Sequence, residues 1–315
     1  MKRTVLTIFL AVFGGIGALA LNGSGPSGGP TSNISAEWLF STFKAQAGCL
    51  NPQCEQLVIL NGDGVNWPYA NSCYAPPSGH IVRDPSIHKW NGVYWLAHTI
   101  GDGTNGQVPS TGFDLAYSTD GGVCYKWLQT VDMSSVSGTG PNAHTNAPEL
   151  FIDDDNTFHI VVTITQTGVT LTPYEVRPIT ALSPATPATW QITQITGTTL
   201  PNMYDMFTLK IGSTYNIFYV NNSTKFIEYM SSSSLTSGYT ITASGDWAGW
   251  GGPWEGPCVV LTAANSYRIY VDGVIASKPG EWHSETTSGL AGSWSAPALV
   301  NATLIPEHGT VIPYP

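Results

Sequence analysis

Asp84, Glu149, Asp205, Glu255 and His308 each stand at the opening of a similar stretch. The five stretches are Arg83-Asp84-Pro85-Ser86-Ile87, Ala147-Pro148-Glu149-Leu150-Phe151, Met203-Tyr204-Asp205-Met206-Phe207, Trp254-Glu255-Gly256-Pro257 and Glu307-His308-Gly309-Thr310-Val311. Carboxylates gathered out of water repel and desolvate one another, a cost that proton transfer or cation binding can exploit. One acid alone could as well cap a turn. Recurrence at one point of a repeated plan is what makes the five a candidate site.

The elements that must position them repeat as well. After each of the first four openings come an apolar strand, a polar turn and an aromatic strand: Asn91-Gly92 leads to Val93-Tyr94-Trp95-Leu96, and Asp153-Asp154-Asp155-Asn156 to Phe158-His159-Ile160-Val161. Gly212-Ser213 leads to Tyr215-Asn216-Ile217-Phe218, and Ala264-Asn265-Ser266 to Tyr267-Arg268-Ile269-Tyr270. A period of about 50 to 65 residues with several strands each is that of propeller blades, and five openings predict an all-β, five-bladed β-propeller. Inner strands of a propeller surround one axis, so the five marked residues are expected to converge. The fifth opening lies close to Pro315, so its blade must borrow strands, with Leu57-Val58-Ile59-Leu60 the candidate for closing the ring.

Composition agrees. Only 10% of the 315 residues are charged, against about 25% in an ordinary domain. The 21 acidic and 11 basic residues give a net charge of −10, leaving no basic field for nucleic acid. No stretch holds a helical period for three turns.

Lys2 and Arg3 precede the apolar run Val5 to Leu21, which closes on Ala18-Leu19-Ala20. This is the pattern of a signal peptide over 1–20, followed by a Gly/Ser/Pro-rich leader over 21–34 and one propeller domain over 35–315. A secreted chain, extracellular or periplasmic, monomeric and free of the membrane after cleavage, is the expectation. Cys49, Cys54, Cys73, Cys124 and Cys258 then have an oxidising destination, with one or two disulfides and one thiol left over.

The order and spacing of the Arg83-Asp84-Pro85 opening, Ala147-Pro148-Glu149, Tyr204-Asp205, Trp254-Glu255-Gly256-Pro257 and His308-Gly309-Thr310 over about residues 80 to 312 resemble the family 43 glycoside hydrolases. The resemblance implies a five-bladed propeller that cleaves arabinofuranosyl or xylosyl links with inversion of configuration. It matches Asp84 to the general base, Asp205 to the aspartate that tunes the acid and Glu255 to the general acid. Met206 departs from the pattern, since many relatives carry Pro there. An inverting enzyme needs one carboxylate to activate water and another to protonate the leaving oxygen.

Around that catalytic set, Glu149, Trp254, Arg268 and His308 are candidate substrate contacts. Side chains alternate along a strand, so Trp254 reaches the pocket beside Glu255 only if a bulge turns it. Arg83 and Arg268 are also candidates to pair with the central acids. His308 has three readings: an axial packing residue, a hydrogen-bonder in the pocket, or a ligand helping to hold a structural calcium. No cofactor is required. The expected partner is an oligo- or polysaccharide, with an exo-acting α-L-arabinofuranosidase as the first choice, because Gly245-Asp246-Trp247-Ala248-Gly249-Trp250-Gly251-Gly252 could wall off one end of the pocket. β-Xylosidase, galactofuranosidase and endo-arabinanase activities, and a carbohydrate-binding propeller without catalysis, stay open. A different class is suggested by Ser118-Thr119-Asp120-Gly121-Gly122 with Trp127, which resembles the Asp-box of the six-bladed sialidases. Their carboxylate clamp uses three arginines, for which Arg83, Arg177 and Arg268 would have to serve.

Overall fold

Two-residue hairpins organise the chain. Trp90 pairs with Val93 across Asn91-Gly92, Ile211 with Thr214 across Gly212-Ser213, and Ala263 with Ser266 across Ala264-Asn265. Asn91 (φ 50°), Gly92 (φ 80°), Gly212 (φ 58°) and Asn265 (φ 58°) supply the left-handed backbone that tight turns between twisted strands require. The computed structural model describes residues 37–45, 55–71, 73–101, 110–137, 144–165, 171–273, 278–302 and 304–314. The signal peptide, the leader, Cys49 and Cys54 lie outside the described residues.

Strands assemble into five antiparallel four-stranded sheets. Blade I holds Arg83–Trp90, Val93–Thr99, Gly112–Ser118 and Lys126–Asp132, and blade II His144–Ile152, Phe158–Thr165, Thr172–Pro178 and Trp190–Gln194. Blade III holds Met203–Ile211, Thr214–Asn221, Ile227–Ser232 and Thr240–Ala243, and blade IV Glu255–Ala263, Ser266–Gly273, Gly280–Thr286 and Ala298–Leu299. Blade V is built from both ends of the described chain. Glu307–Pro313 is its inner strand, paired to Trp38–Ala45, then Glu55–Gly62 and Tyr69–Asn71. The run Leu57 to Leu60 therefore helps close the ring, one strand further out than Trp38–Ala45. The fold is a five-bladed β-propeller, and the helical residues among those described are the single turn Ser134–Ser137.

Blades pack face to face, so their middle strands are buried on both sides. Val93–Thr99 is buried from Tyr94 onward, and apolar alternation gives way to a near-continuous apolar run. Between blades I and II the seal is Trp90, Trp95 and Phe158, with ring centroids 5.2 to 6.2 Å apart. Phe40, Trp67 and Tyr270 do the same between blades IV and V. Burying a large aromatic is worth roughly 2 to 3 kcal/mol, so these rows hold the ring together. Cys73 and Cys124 form a disulfide, and Cys258 is a buried thiol. No helix among the described residues is long and apolar enough to cross a membrane.

Five blades and the placement of the arginines remove the sialidase alternative. Arg177 bonds Gln191 on the outer part of blade II, and Arg268 pairs with Glu285 within blade IV. The Ser118 to Gly122 segment is a local turn, where Ser118 Oγ donates to Asp120 Oδ1 and accepts from Gly122 N–H.

Candidate active site

All five inner strands carry the same irregularity near their first residues. Arg83 pairs with Thr99 and Ser86 with Ala97, so Asp84 and Pro85 together oppose His98 alone. The same two-against-one step recurs at Ala147-Pro148, Asp205-Met206, Gly256-Pro257 and His308-Gly309. A bulge of this kind bends the strand and re-aims its side chains. The first bulged residue is left-handed in four blades: Asp84 (φ 48°), Ala147 (φ 46°), Asp205 (φ 49°) and Gly256 (φ 53°). Backbone of this sort in non-glycine residues costs of order 1 to 3 kcal/mol and gathers at functional sites. Glycine is required at 256, where a Cβ would lie 2.6 Å from His308 Cγ.

The bulges correct the alignment drawn from the sequence. Asp84, Asp205 and His308 share one register, whereas Glu255 precedes its bulge and Glu149 follows its own. The equivalent place in blade II is occupied by Ala147, and in blade IV by Gly256. Even so, four of the marked residues come together. His308 Nδ1 lies 3.3 Å from Asp84 Oδ1 and 3.5 Å from Asp205 Oδ2. Asp205 Oδ2 also accepts from the N–H of Gly256 at 3.3 Å, which ties it to the backbone beside Glu255. Thr99 Oγ1 donates to Asp84 Oδ2 at 2.9 Å and accepts from Ala147 N–H at 3.0 Å, joining the blade I and blade II bulges.

The electrostatics divide the carboxyls. Burial pushes Asp84 up, but the hydrogen bond and charge of His308, with Thr99 behind them, outweigh it and hold Asp84 below the usual carboxylate range. Burial raises Asp205 to about 7, with the charges of Asp84 and Glu255 adding and that of His308 opposing. His308 is lowered by burial but carried well above its usual value by Asp205 and Asp84. The centre thus holds an imidazolium, one firmly ionised carboxylate and one carboxyl able to keep its proton near neutrality.

Glu255 is held by groups that sequence reasoning did not single out. Tyr204, the residue before the blade III bulge, donates its hydroxyl to Glu255 Oε1. Lys225 Nζ, from the turn beyond Asn221, donates to that Tyr204 oxygen at 2.9 Å and to Asn222 Oδ1 at 2.8 Å. Tyr204 belongs to the quoted opening and occupies the register position of Glu255 in its own blade, which is the signal that could have found it. Behind His308, Asp272 and Glu281 are cross-strand partners in blade IV. Glu281 is fully buried and raised well above its usual value by burial, then by the charge of Asp272, while Asp272 is raised to about 7, chiefly by burial.

Glu149, Trp254 and Arg268 do not line the centre as substrate contacts were expected to. Glu149 is 7% exposed, and its Oε2 accepts from Thr310 Oγ1 at 2.9 Å in a contact between blades II and V. Burial lifts its carboxyl to about 8. Trp254 is buried against Trp282 beneath Lys278 Nζ, so the bulge that follows Glu255 does not turn the indole into a sugar platform. Arg268 sits beside Val260, well along the strand from Glu255, with its guanidinium on Glu285 and Tyr270. The segment from Gly245 to Gly252 does not wall the centre either: Trp247 and Trp250 pack on one another and on Trp294, toward the outer flank of blades III and IV.

The described residues hold no group of three or more His, Cys, Asp or Glu side chains placed to share an ion, and Nδ1 of His308 faces Asp84 and Asp205.

No protein-family model and no curated protein matches the chain. Solved structures do. An α-L-arabinofuranosidase from Clostridium thermocellum superposes with a TM-score of 0.55 at 14% identity, over 79% of this chain and 85% of its own. An exo-β-1,3-galactanase from Phanerochaete chrysosporium, solved with β-1,3-galactotriose, gives 0.52 at 12% identity over 72% and 52% of the two chains. One from Clostridium thermocellum gives 0.51 at 13% identity over 74% and 51%. The chain spans about half the length of these galactanases. At such identities the likeness is one of fold.

Proposed function

We propose that this chain is a secreted glycoside hydrolase that cleaves an O-glycosyl bond with inversion, with arabinofuranosyl links in plant-type arabinan or arabinoxylan as its first substrate class. One observation carries the reading: Asp84 is held ionised at the axis by His308 and Thr99, within the same cluster as a proton-retaining Asp205 and beside Glu255. Asp84 takes a proton from water as the water attacks the anomeric carbon. Glu255, oriented by Tyr204, gives a proton to the departing oxygen. Asp205 shares the His308 imidazole with Asp84 and accepts from the N–H of Gly256, next to Glu255, so it holds the base and acid sides of the site in one cluster. Secretion is supported by the N-terminal pattern and fits the Cys73 to Cys124 disulfide.

Asp84→Asn and Glu255→Gln, assayed on a panel of aryl furanosides and on linear arabinan, test the reading. Loss of hydrolysis in both, with α to β inversion at early times by NMR in the parent chain, is the expected result. Retained binding without hydrolysis in the parent chain would replace the enzyme by a carbohydrate-binding propeller. Retention of configuration would require one carboxylate to be a nucleophile. An arabinofuranosidase is among the fold neighbours, and β-1,3-galactan belongs in the panel because two others are named for it. With Trp247 and Trp250 on the flank, exo action loses the support the sequence lent it. The length of the products from arabinan separates end-on from internal cleavage.

A further inference from the structure

Away from the axis, a groove of about 710 Å³ runs between the segment that leaves the outer strand of blade III and the turn that joins the last two strands of blade IV. None of the axial residues lines it. Trp247 and Trp294, both half-buried, meet edge to face in one corner of it, with ring centroids 6.0 Å apart and planes at 88°. Neither ring is free to turn. Trp247 Nε1 donates to the carbonyl of Ile227 at 2.7 Å, and Trp294 Nε1 to that of Leu290 at 3.0 Å, while Trp250 packs against both from beneath. With both indole N–H groups committed to main chain, what the rings offer the groove is C–H edge and π face.

Asp246, Ser288 and Ser293 line the same groove. Asp246 Oδ1 accepts from Gly251 N–H, and Asp246 and Ser293 are exposed. Among the described residues no lysine or arginine lines the groove, which argues against phosphate or other anions. Its polar content rules against a lipid chain. A rigid right-angled aromatic corner with hydroxyl and carboxylate groups matches a ligand that alternates apolar C–H faces with hydroxyls. We infer that this groove is a second saccharide-binding site, which holds a polysaccharide chain on the flank of the propeller while the axial site acts on it. The inference does not rest on hydrolysis, since a carbohydrate-binding propeller could use the same groove.

The test is native affinity electrophoresis of the full chain in gels cast with branched arabinan, arabinoxylan or galactan, run in an Asp84→Asn background so that polysaccharide is not consumed. Trp294→Ala removes one ring of the corner, and Ser293→Trp fills the groove from an exposed position without touching the packed rings. Each is expected to weaken retardation by about two- to tenfold, the scale of one aromatic contact. Without the background substitution, each should leave turnover of a small aryl glycoside unchanged and slow turnover of the polysaccharide that retards the protein. Equal retardation of the parent and Ser293→Trp proteins in every gel, or no retardation at all, would overturn the second site. Loss of aryl glycoside turnover in the parent chain would instead overturn the axial reading, and leaves the gel comparison standing.

Discussion

Replacing Glu149 by Gln should make the protein more stable than its parent at pH 8 and no more than comparable at pH 5. Glu149 is buried, and burial lifts its carboxyl from 4.5 to about 8 against the opposing hydrogen bonds of Thr310 and Ser86. A raised acid means that the folded chain holds a proton the unfolded chain has released. The stability is therefore full below the unfolded value and is lost as pH rises toward the folded one. The loss is about 1.4 kcal/mol for each pH unit in that window, and about 4 kcal/mol between pH 5 and 8 as a ceiling. At about 2 to 4 °C per kcal/mol for a domain of this size, melting temperature should fall by about 3 to 6 °C per pH unit from this group alone. Gln has the shape of the protonated acid, keeps an acceptor for Thr310 Oγ1 and carries no charge to bury. Melts from pH 5 to 8 at constant ionic strength should show a flatter curve for the variant that crosses the parent's. Asp205 and Asp272 impose slopes of the same sign, but these are common to both proteins. Parallel curves would refute the claim that Glu149 is folded in its neutral form.

Asp84→Ala should cost several orders of magnitude in rate on every substrate, while Glu255→Ala should retain far more activity on an aryl glycoside with an acidic phenol than on polysaccharide; equal impairment of Glu255→Ala on both would reject its role as acid. Asp205 is raised to about 7 beside Asp84 and Glu255, so Asp205→Asn should change the pH-rate profile around neutrality, and an unchanged profile would remove Asp205 from the proton chemistry of the site. Tyr204→Phe deletes the hydroxyl that orients Glu255, and kcat/KM should fall by about 2- to 10-fold, the worth of one hydrogen bond; no change would remove Tyr204 from the site.

What the sequence disclosed and what it hid divide along one physical line. Blade count was legible because each hairpin spends Asn or Gly on its turn and aromatics on its inner pair, and the spacing of those signals survives any local irregularity. Register was not legible. A bulge adds one residue to one strand without altering the apolar count, so Glu149, Glu255 and Asp84 looked equivalent although they stand after, before and within their bulges. The strand Trp38–Ala45 was missed for a related reason. Ser41 and Thr42 interrupt its apolar run, yet both are buried because they serve the bulges: Ser41 Oγ donates to the carbonyl of Pro85, and Thr42 Oγ1 bonds both ends of the Glu307 peptide. The polar residues that look least like a strand are there to satisfy main-chain groups that the bulges leave unpaired. Trp254 shows the converse. Its place beside Glu255 suggested a sugar platform, but the bulge begins one residue past Glu255, so Trp254 keeps the ordinary alternation and is buried. In this ring the bulges at the five inner strands, more than the identity of the acids, decide which side chains meet at the axis. His308 reaches both Asp84 and Asp205 because all three occupy the same step of that bulge.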